Sequence, residues 1–482
     1  MKKLLTILLF VVIAFVSKAQ YGNQFQYNAF FNTQGAFDFP SELGTDIKSF
    51  SVNLFGMNAY LGNSIADVNW LYDVATSIET GTIDGNTVPV LRNPDGSTYL
   101  LPHVVLDHLV NNTPENNFLV GGFDVYTPLA IAFKVKTGED KKEVVTFAFN
   151  HRIKTGTSTY LGKDLFTFMY DGIGSFGSDP ANLVDFSVGF HAYSEWAFGM
   201  SFPVLELGNS KELRAGMNLK YLVGYAAADT RRANLSLTNQ GEGDVWDFNL
   251  DYLFNAALPL NAIENGSEIE PLAYGRRGIG NGMGIDFGIS LQIMENLKTT
   301  MAINDVGSIR YGNGNVINIS GNGNVSFDGV RVNVFGLDSV RFNADTLISR
   351  FTPNVTYNDF NVALPTRLTL AGEFGLSQKE TRKGQEYFQH TLHFTYIQGF
   401  NKAVGNSTRP FVNVGYSYRL GNMLSTGVNT GFGGIYGFNI GGFVGLRGGP
   451  FRISFSSNAL LGGMAPQLAK GFDFRLNMAL AI

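Results

Sequence analysis

Six histidines, His103, His108, His151, His191, His390 and His393, are the first residues to weigh for metal or acid–base chemistry. His390 and His393 stand three apart, a spacing that sends them to opposite faces of a strand and keeps them off a shared metal. His103 and His108 have no acidic pair close by in the chain. No serine carries the surroundings of an activated nucleophile, and the chain has no cysteine. Glu242, Asp244, Asp247 and Asp251 offer oxygens to an external calcium ion, and equally serve to solvate a loop. The glycine-rich stretches Gly278 to Gly284, Gly312 to Gly323 and Gly431 to Gly449 do not follow the phosphate-binding pattern, and Gly162-Lys163 lacks Walker spacing. These residues call for no catalytic site, no cofactor and no resident metal, so the chain reads as a non-enzyme.

A different set is more telling. Arg214, Asn218, Lys220, Asp286, Glu373, Asp473 and Arg475 all occur at alternate positions inside otherwise apolar runs. In the last twelve residues Phe472, Phe474, Leu476, Met478, Leu480 and Ile482 share one parity, and Asp473, Arg475 and Asn477 the other. A strand that shows lipid one face and a lumen the other has this period of two. The even residues from Phe186 to Val204 keep one parity, and Leu213 to Val223 keep it with Arg214, Asn218 and Lys220 opposite. Met283 to Ile293, Leu368 to Leu376, Phe388 to Tyr396, Val412 to Leu420, Phe438 to Leu446 and Phe451 to Phe455 continue the series. Charges at these positions cost about 2–4 kcal/mol each if they face lipid at mid-depth, so they are predicted to point inward.

The elements that position them are antiparallel strands joined alternately by short and long connections. Short ones run Gly138 to Lys142, Glu206 to Ser210, Glu295-Asn296, Ser377 to Glu386, Gly421-Asn422 and Gly448 to Pro450. Long ones run Gly62 to Phe118, Thr155 to Val184, Ala226 to Gly282, Val306 to Leu364, and a shorter Asn401 to Thr408. The expected fold is all-β, a single transmembrane antiparallel up-and-down barrel. It has 14 strands if Ala226 to Gly282 is loop, and 16 if Leu235 to Leu237 and Val245 to Phe254 enter the wall. Both chain ends then lie on the periplasmic side.

Lys2, Lys3, the apolar run Leu4 to Val16 and Ser17-Lys18-Ala19 form a cleavable export signal over 1–19. The run is too short for a helical span of about 20 residues, and no comparable run follows. Losing the signal takes the formal net charge from −5 to −8, which argues against nucleic acid as a partner. Residues 20–46 read as a periplasmic or plug-like segment, and 47–482 as the barrel.

Particular stretches also carry a resemblance. They are Tyr193 to Gly199, Gly216 to Ala226, Gly282 to Leu291 with its turn into Asn304-Asp305-Val306-Gly307, and Leu364-Pro365-Thr366-Arg367. Together they resemble an uncharacterised outer-membrane barrel family of the Bacteroidota, itself similar to the FadL/TodX hydrophobic-compound transport barrels. The resemblance implies 14 strands, a lumen plugged by the N-terminal segment, and no catalytic residues. The Asn-Pro-Ala element of the transport barrels is matched here by Asn28-Ala29-Phe30, without its proline. The terminal strand likewise resembles the insertion signal of such barrels, ending in Ile482 where Phe or Trp is usual. The implied partners are outer-membrane lipid and lipopolysaccharide, the barrel-insertion machinery and a small hydrophobic ligand. Passive transport of such a solute across the outer membrane of a Gram-negative bacterium is the expected function. The alternative is a non-transporting barrel that binds proteins, such as a type IX secretion-associated scaffold or shuttle.

Overall fold

A computed structural model describes residues 38–43, 49–64 and most of 70–481. Outside the described residues lie 1–37, 44–48, 65–69, 71–77, 93–97, 101–106, 112–115, 183–186, 207–211, 240–244, 259–277, 329–352, 461–469 and shorter stretches. The export signal, Asn28 to Phe30, His103, Glu242, Asp244 and Ile482 fall among these.

Strand β1 (Phe50–Asn63) is followed by a separate sheet of β2 (Ile78–Ile83), β3 (Asn86–Arg92) and β4 (Thr98–Leu100). The wall resumes with β5 (Asn116–Tyr126) and β6 (Ala130–Thr137), then β7 (Lys142–Gly162), helix α1 (Lys163–Asp171), β8 (Ala181–Asn182), β9 (Ser187–Glu206) and β10 (Glu212–Asn239). Next come β11 (Val245–Ala257), β12 (Gly280–Met294), β13 (Leu297–Tyr311), β14 (Val316–Asp328), β15 (Asn354–Thr356) and β16 (Phe360–Ala363). The series ends with β17 (Arg367–Glu380), β18 (Glu386–Gly399), β19 (Phe411–Leu420), β20 (Leu424–Gly433), β21 (Gly437–Gly448), β22 (Phe451–Ser457) and β23 (Gly471–Ala481).

The ring closes where β1 pairs antiparallel with β23, from Ser51 opposite Ala481 to Gly62 opposite Gly471. Among the described residues closure pairs each strand of the ring on both sides, which a hydrocarbon environment demands of backbone N–H and C=O groups. β5 and β6 pair with the same two neighbours and form one span, as do β16 and β17 along β13. Counted so, the barrel has 14 strands.

The competing count of 16 fails for a definite reason. β10 is 28 residues long, and its two halves have different partners. From Leu213 to Gly224 it pairs with β12, and after a register shift at Gly224/Ala226 on its β9 side it pairs with β11 from Ala227 to Asn239. β11 then pairs with β14, and β14 with β15. These strands form a sheet that extends the wall rather than entering the ring. The expected long connections are shorter for the same reason, because β7 runs on to Gly162 and β13 to Tyr311.

Alternation sorts the side chains as expected. Phe149, Phe198, Leu219, Phe287, Ile289, Phe374, Phe394, Val414, Ile440, Val444 and Phe455 point outward and are exposed, forming the apolar band that lipid covers. β20 escapes the sequence reading because only Val428 and Phe432 stand out among its Gly, Ser and Thr. Replacing Ile289 by Lys puts a charge on this band, and the expected loss is about 2–4 kcal/mol of folding stability. Denaturant unfolding in lipid vesicles checks it, with Ile289→Leu as the near-neutral control.

Candidate functional site in the lumen

The inward face at mid-depth is charged. Arg152 and Lys154 are two apart on β7 and so share a face, opposite Glu195 and Tyr193 of β9. Arg152 Nε donates to Glu195 Oε1 at 2.8 Å, and Lys154 Nζ lies 3.2 Å from Glu195 Oε2. From β10, Lys220 Nζ reaches Asp286 at 2.7 Å and Asp305 at 2.6 Å, while Asn218 Nδ2 donates to Asp286 Oδ2 at 3.0 Å.

Asp305 occupies this place because the ladder slips. Ile285 pairs with Val306 but Phe287 with Ile303, so Asn304 and Asp305 bulge inward together. Asp305 adopts φ 58°, a left-handed conformation uncommon outside glycine, and its N–H donates to Asp286 Oδ1 at 2.7 Å. Thr366 Oγ1 holds the Asp305 carbonyl at 2.8 Å. Lys154 and Arg367 complete its ion pairs at 3.5 and 3.7 Å.

The N-terminal segment enters this network from inside the barrel. The Asp38 carboxylate lies 3.8 Å from Arg152, 3.7 Å from Arg367 and 3.4 Å from Arg475, residues of β7, β17 and β23. These strands are far apart around the ring, so one carboxylate ties separate parts of the wall together. Asn304 Nδ2 donates to the Asp38 carbonyl at 2.9 Å, and Tyr126 Oη accepts from Arg152 and Arg475 at 3.1 and 3.2 Å. With Asp124 on Asn58, five cations (Arg152, Lys154, Lys220, Arg367, Arg475) meet five carboxylates (Asp38, Asp124, Glu195, Asp286, Asp305). Such balance is what lets charges stay buried, since an unpaired one in a low dielectric costs several kcal/mol.

The next residues of the segment are held nearer the short turns. Ser201 Oγ and Arg214 Nε both donate to the Ser41 carbonyl, at 2.8 and 3.2 Å. Arg214 also pairs with Glu143 at 2.6 Å and Glu212 at 2.8 Å, and Glu42 pairs with Lys298. Gly216 makes the close approach possible: a Cβ there would lie 2.1 Å from the Pro40 carbonyl oxygen. Leu43 is buried against Ala132, Ala148, Ala197 and Ala481.

Above the charged layer lies an apolar cluster that includes Tyr193, Leu222, Ile309, Tyr311, Phe360, Val362 and Leu364. The connection 400–410 leaves β18 and reaches the far wall, where Val404 abuts Gly189 and Tyr160 Oη donates to the Asn406 carbonyl at 3.2 Å. Arg409 stacks over Phe118 at 4.8 Å, and Ile435 packs with Phe118, Val120 and Ala459. The mouth is thus crossed by inward-folded loops.

Of the seven polar residues expected inward, Asn218, Lys220, Asp286 and Arg475 join the central network and Arg214 the lower one. Glu373 lies beside His393, 3.9 Å away, and lines a polar recess of about 430 Å³ near the turns with Glu295, Lys298, Glu386 and Arg419. Asp473 instead braces a loop, accepting from the Asn458 and Ala459 N–H groups at 2.7 and 2.9 Å. His393 faces the lumen on Ser417 Oγ at 2.7 Å, and His390 is half-buried beside Tyr416. Asp247 accepts from Ser326 Oγ at 2.5 Å. The sequence reading missed Asp38, Asp124, Arg152 and Lys154. The parity of Arg152 and Lys154 around Ile153 was the available signal for two of them; the short segment around Asp38 has no period to read.

Two substitutions test this geometry. Glu195→Ala leaves Arg152 and Lys154 short of their shared counter-ion, and a loss of about 3–5 kcal/mol is expected in thermal or denaturant unfolding. Gly216→Ala pushes the Pro40 carbonyl away without touching a charge. Faster limited proteolysis at residues 38–43 is expected, and unchanged cleavage would contradict the close contact.

A family model described as a family of unknown function (DUF5723) matches residues 45–458. No curated protein matches the chain. Among solved structures, the toluene transporter TbuX of Ralstonia pickettii is 11% identical, with 93% of this chain and 92% of that one covered and a TM-score of 0.37. The P. putida toluene transporter TodX is 8% identical over 94% of each chain, with a TM-score of 0.42. The translocator domain of the autotransporter NalP from Neisseria meningitidis is 8% identical over 90% of this chain and 89% of that one, with a TM-score of 0.28. By the extent of its family match, the chain belongs to DUF5723.

Proposed function

We propose that the protein is a passive transporter of the Gram-negative outer membrane, carrying a small hydrophobic solute through a lumen that its N-terminal segment holds closed at rest. The observation that carries this reading is the Asp38 carboxylate seated among three arginines of distant strands. A barrel that serves only as a wall anchor has no need of a separate, unbranched segment threaded through its centre. The described part of the segment is held by ion pairs and hydrogen bonds together with two buried apolar side chains, Phe39 beside Ala302 and Ala371 and Leu43 among four alanines, so it leaves by giving up polar and apolar contacts alike. The apolar cluster around Tyr193 and Tyr311 lies between mouth and charged layer, so a solute that parts these packed side chains meets apolar surface first.

A second reading, a barrel that binds partner proteins, is favoured by the sheet that β11, β14 and β15 build on β10. Removing that sheet would abolish partner capture in the second reading and leave solute uptake intact in the first.

The chain lacks cysteine, so an introduced pair reports cleanly. Ser41→Cys with Ser201→Cys, cross-linked by a short dithiol-reactive reagent, fixes the segment to the wall. Cells expressing the cross-linked pair should take up N-phenylnaphthylamine several-fold more slowly than cells in which a cleavable linker has been reduced. Equal uptake in both states would sink the proposal.

A further inference from the structure

The group at the centre of the charged layer is chemically a bound carboxylate, although the chain itself supplies it. Arg152, Arg367 and Arg475 are each at most 5% exposed, and their guanidinium groups converge on Asp38 from three separate strands. Guanidinium groups suit carboxylates because their fork of donors matches the two oxygens. The surroundings of the three arginines are amphipathic. Lys154 Nζ sits 5.8 Å over the ring of Tyr193, and Tyr193 belongs to the apolar cluster with Leu222, Ile309, Tyr311 and Leu364. A molecule with one carboxylate and a compact apolar body would meet complementary chemistry at both ends.

We infer that the three arginines form a recognition site for a solute monocarboxylate with a small apolar body, in which Asp38 is an internal stand-in for the solute's own carboxylate. The inference rests on the transport reading and narrows its solute. Exchange of one carboxylate for another keeps the five cations matched by five carboxylates, whereas a neutral solute that displaces Asp38 leaves a buried cation uncompensated, so neutral probes pass only more slowly than carboxylates. Carboxylate binding and release of the segment are therefore one event.

Calorimetric titration of the full chain in detergent tests this, with benzoate as the probe and benzamide as its neutral counterpart. Asp38→Ala is expected to bind benzoate at least tenfold more tightly than the wild type, to show no gain for benzamide, and to lose its gain when combined with Arg367→Gln. Asp38→Asn, which keeps the side-chain shape, is expected to rank the same way and serves if the alanine variant does not fold. Equal benzoate affinity in wild type and both Asp38 variants, or an equal gain for benzamide, would overturn the inference. The titration requires no passage across a membrane. Probe uptake that persists without the benzoate gain removes the carboxylate site alone, and a benzoate gain without uptake removes the transport reading alone.

Discussion

Charges placed across the interior of a membrane barrel must cancel where they stand, and the lumen of this protein is organised around that requirement. At mid-depth the wall contributes Arg152, Lys154, Lys220, Arg367 and Arg475 against Asp124, Glu195, Asp286 and Asp305, so this layer is one carboxylate short of balance, while the buried Arg214 and Arg452 lie nearer the short turns. Asp38 makes up the difference, and it belongs to no strand. Its position explains why the segment lies where it does, beside the bulge that delivers Asp305, with the glycine that admits Pro40 nearer the short turns. The charge balance of this layer in this way depends on a short piece of chain that lies outside the strands.

The ring was legible because lipid imposes a strict period. Phe472, Phe474, Leu476, Met478 and Leu480 lie along one face of β23, with Arg475 and Asn477 buried on the other. Strands that lacked large outward residues, such as β20, gave a weak signal because glycine and threonine satisfy either face. Strand lengths were underestimated where β7 and β10 extend past the apolar band, since beyond lipid nothing selects for alternating hydrophobicity.

The site was legible in part. Glu195, Asn218, Lys220, Asp286, Asp305 and Arg367 all sit within the stretches that carried the family resemblance, so those motifs are pieces of one ionic network dispersed along the chain. What could not be read is that they converge. Convergence depends on ring closure, on the left-handed turn at Asp305, and on a non-periodic segment whose partners lie more than 400 positions away at Arg475.

The central claim is that an ionic contact at Asp38 keeps the lumen shut. Current through single molecules in a planar bilayer tests it most directly, comparing the wild type with Asp38→Lys, which sets a cation among three arginines. The account predicts a nearly silent wild type and a variant with frequent, long openings that favour anions. A variant as silent as the wild type, or a wild type equally open, would contradict it.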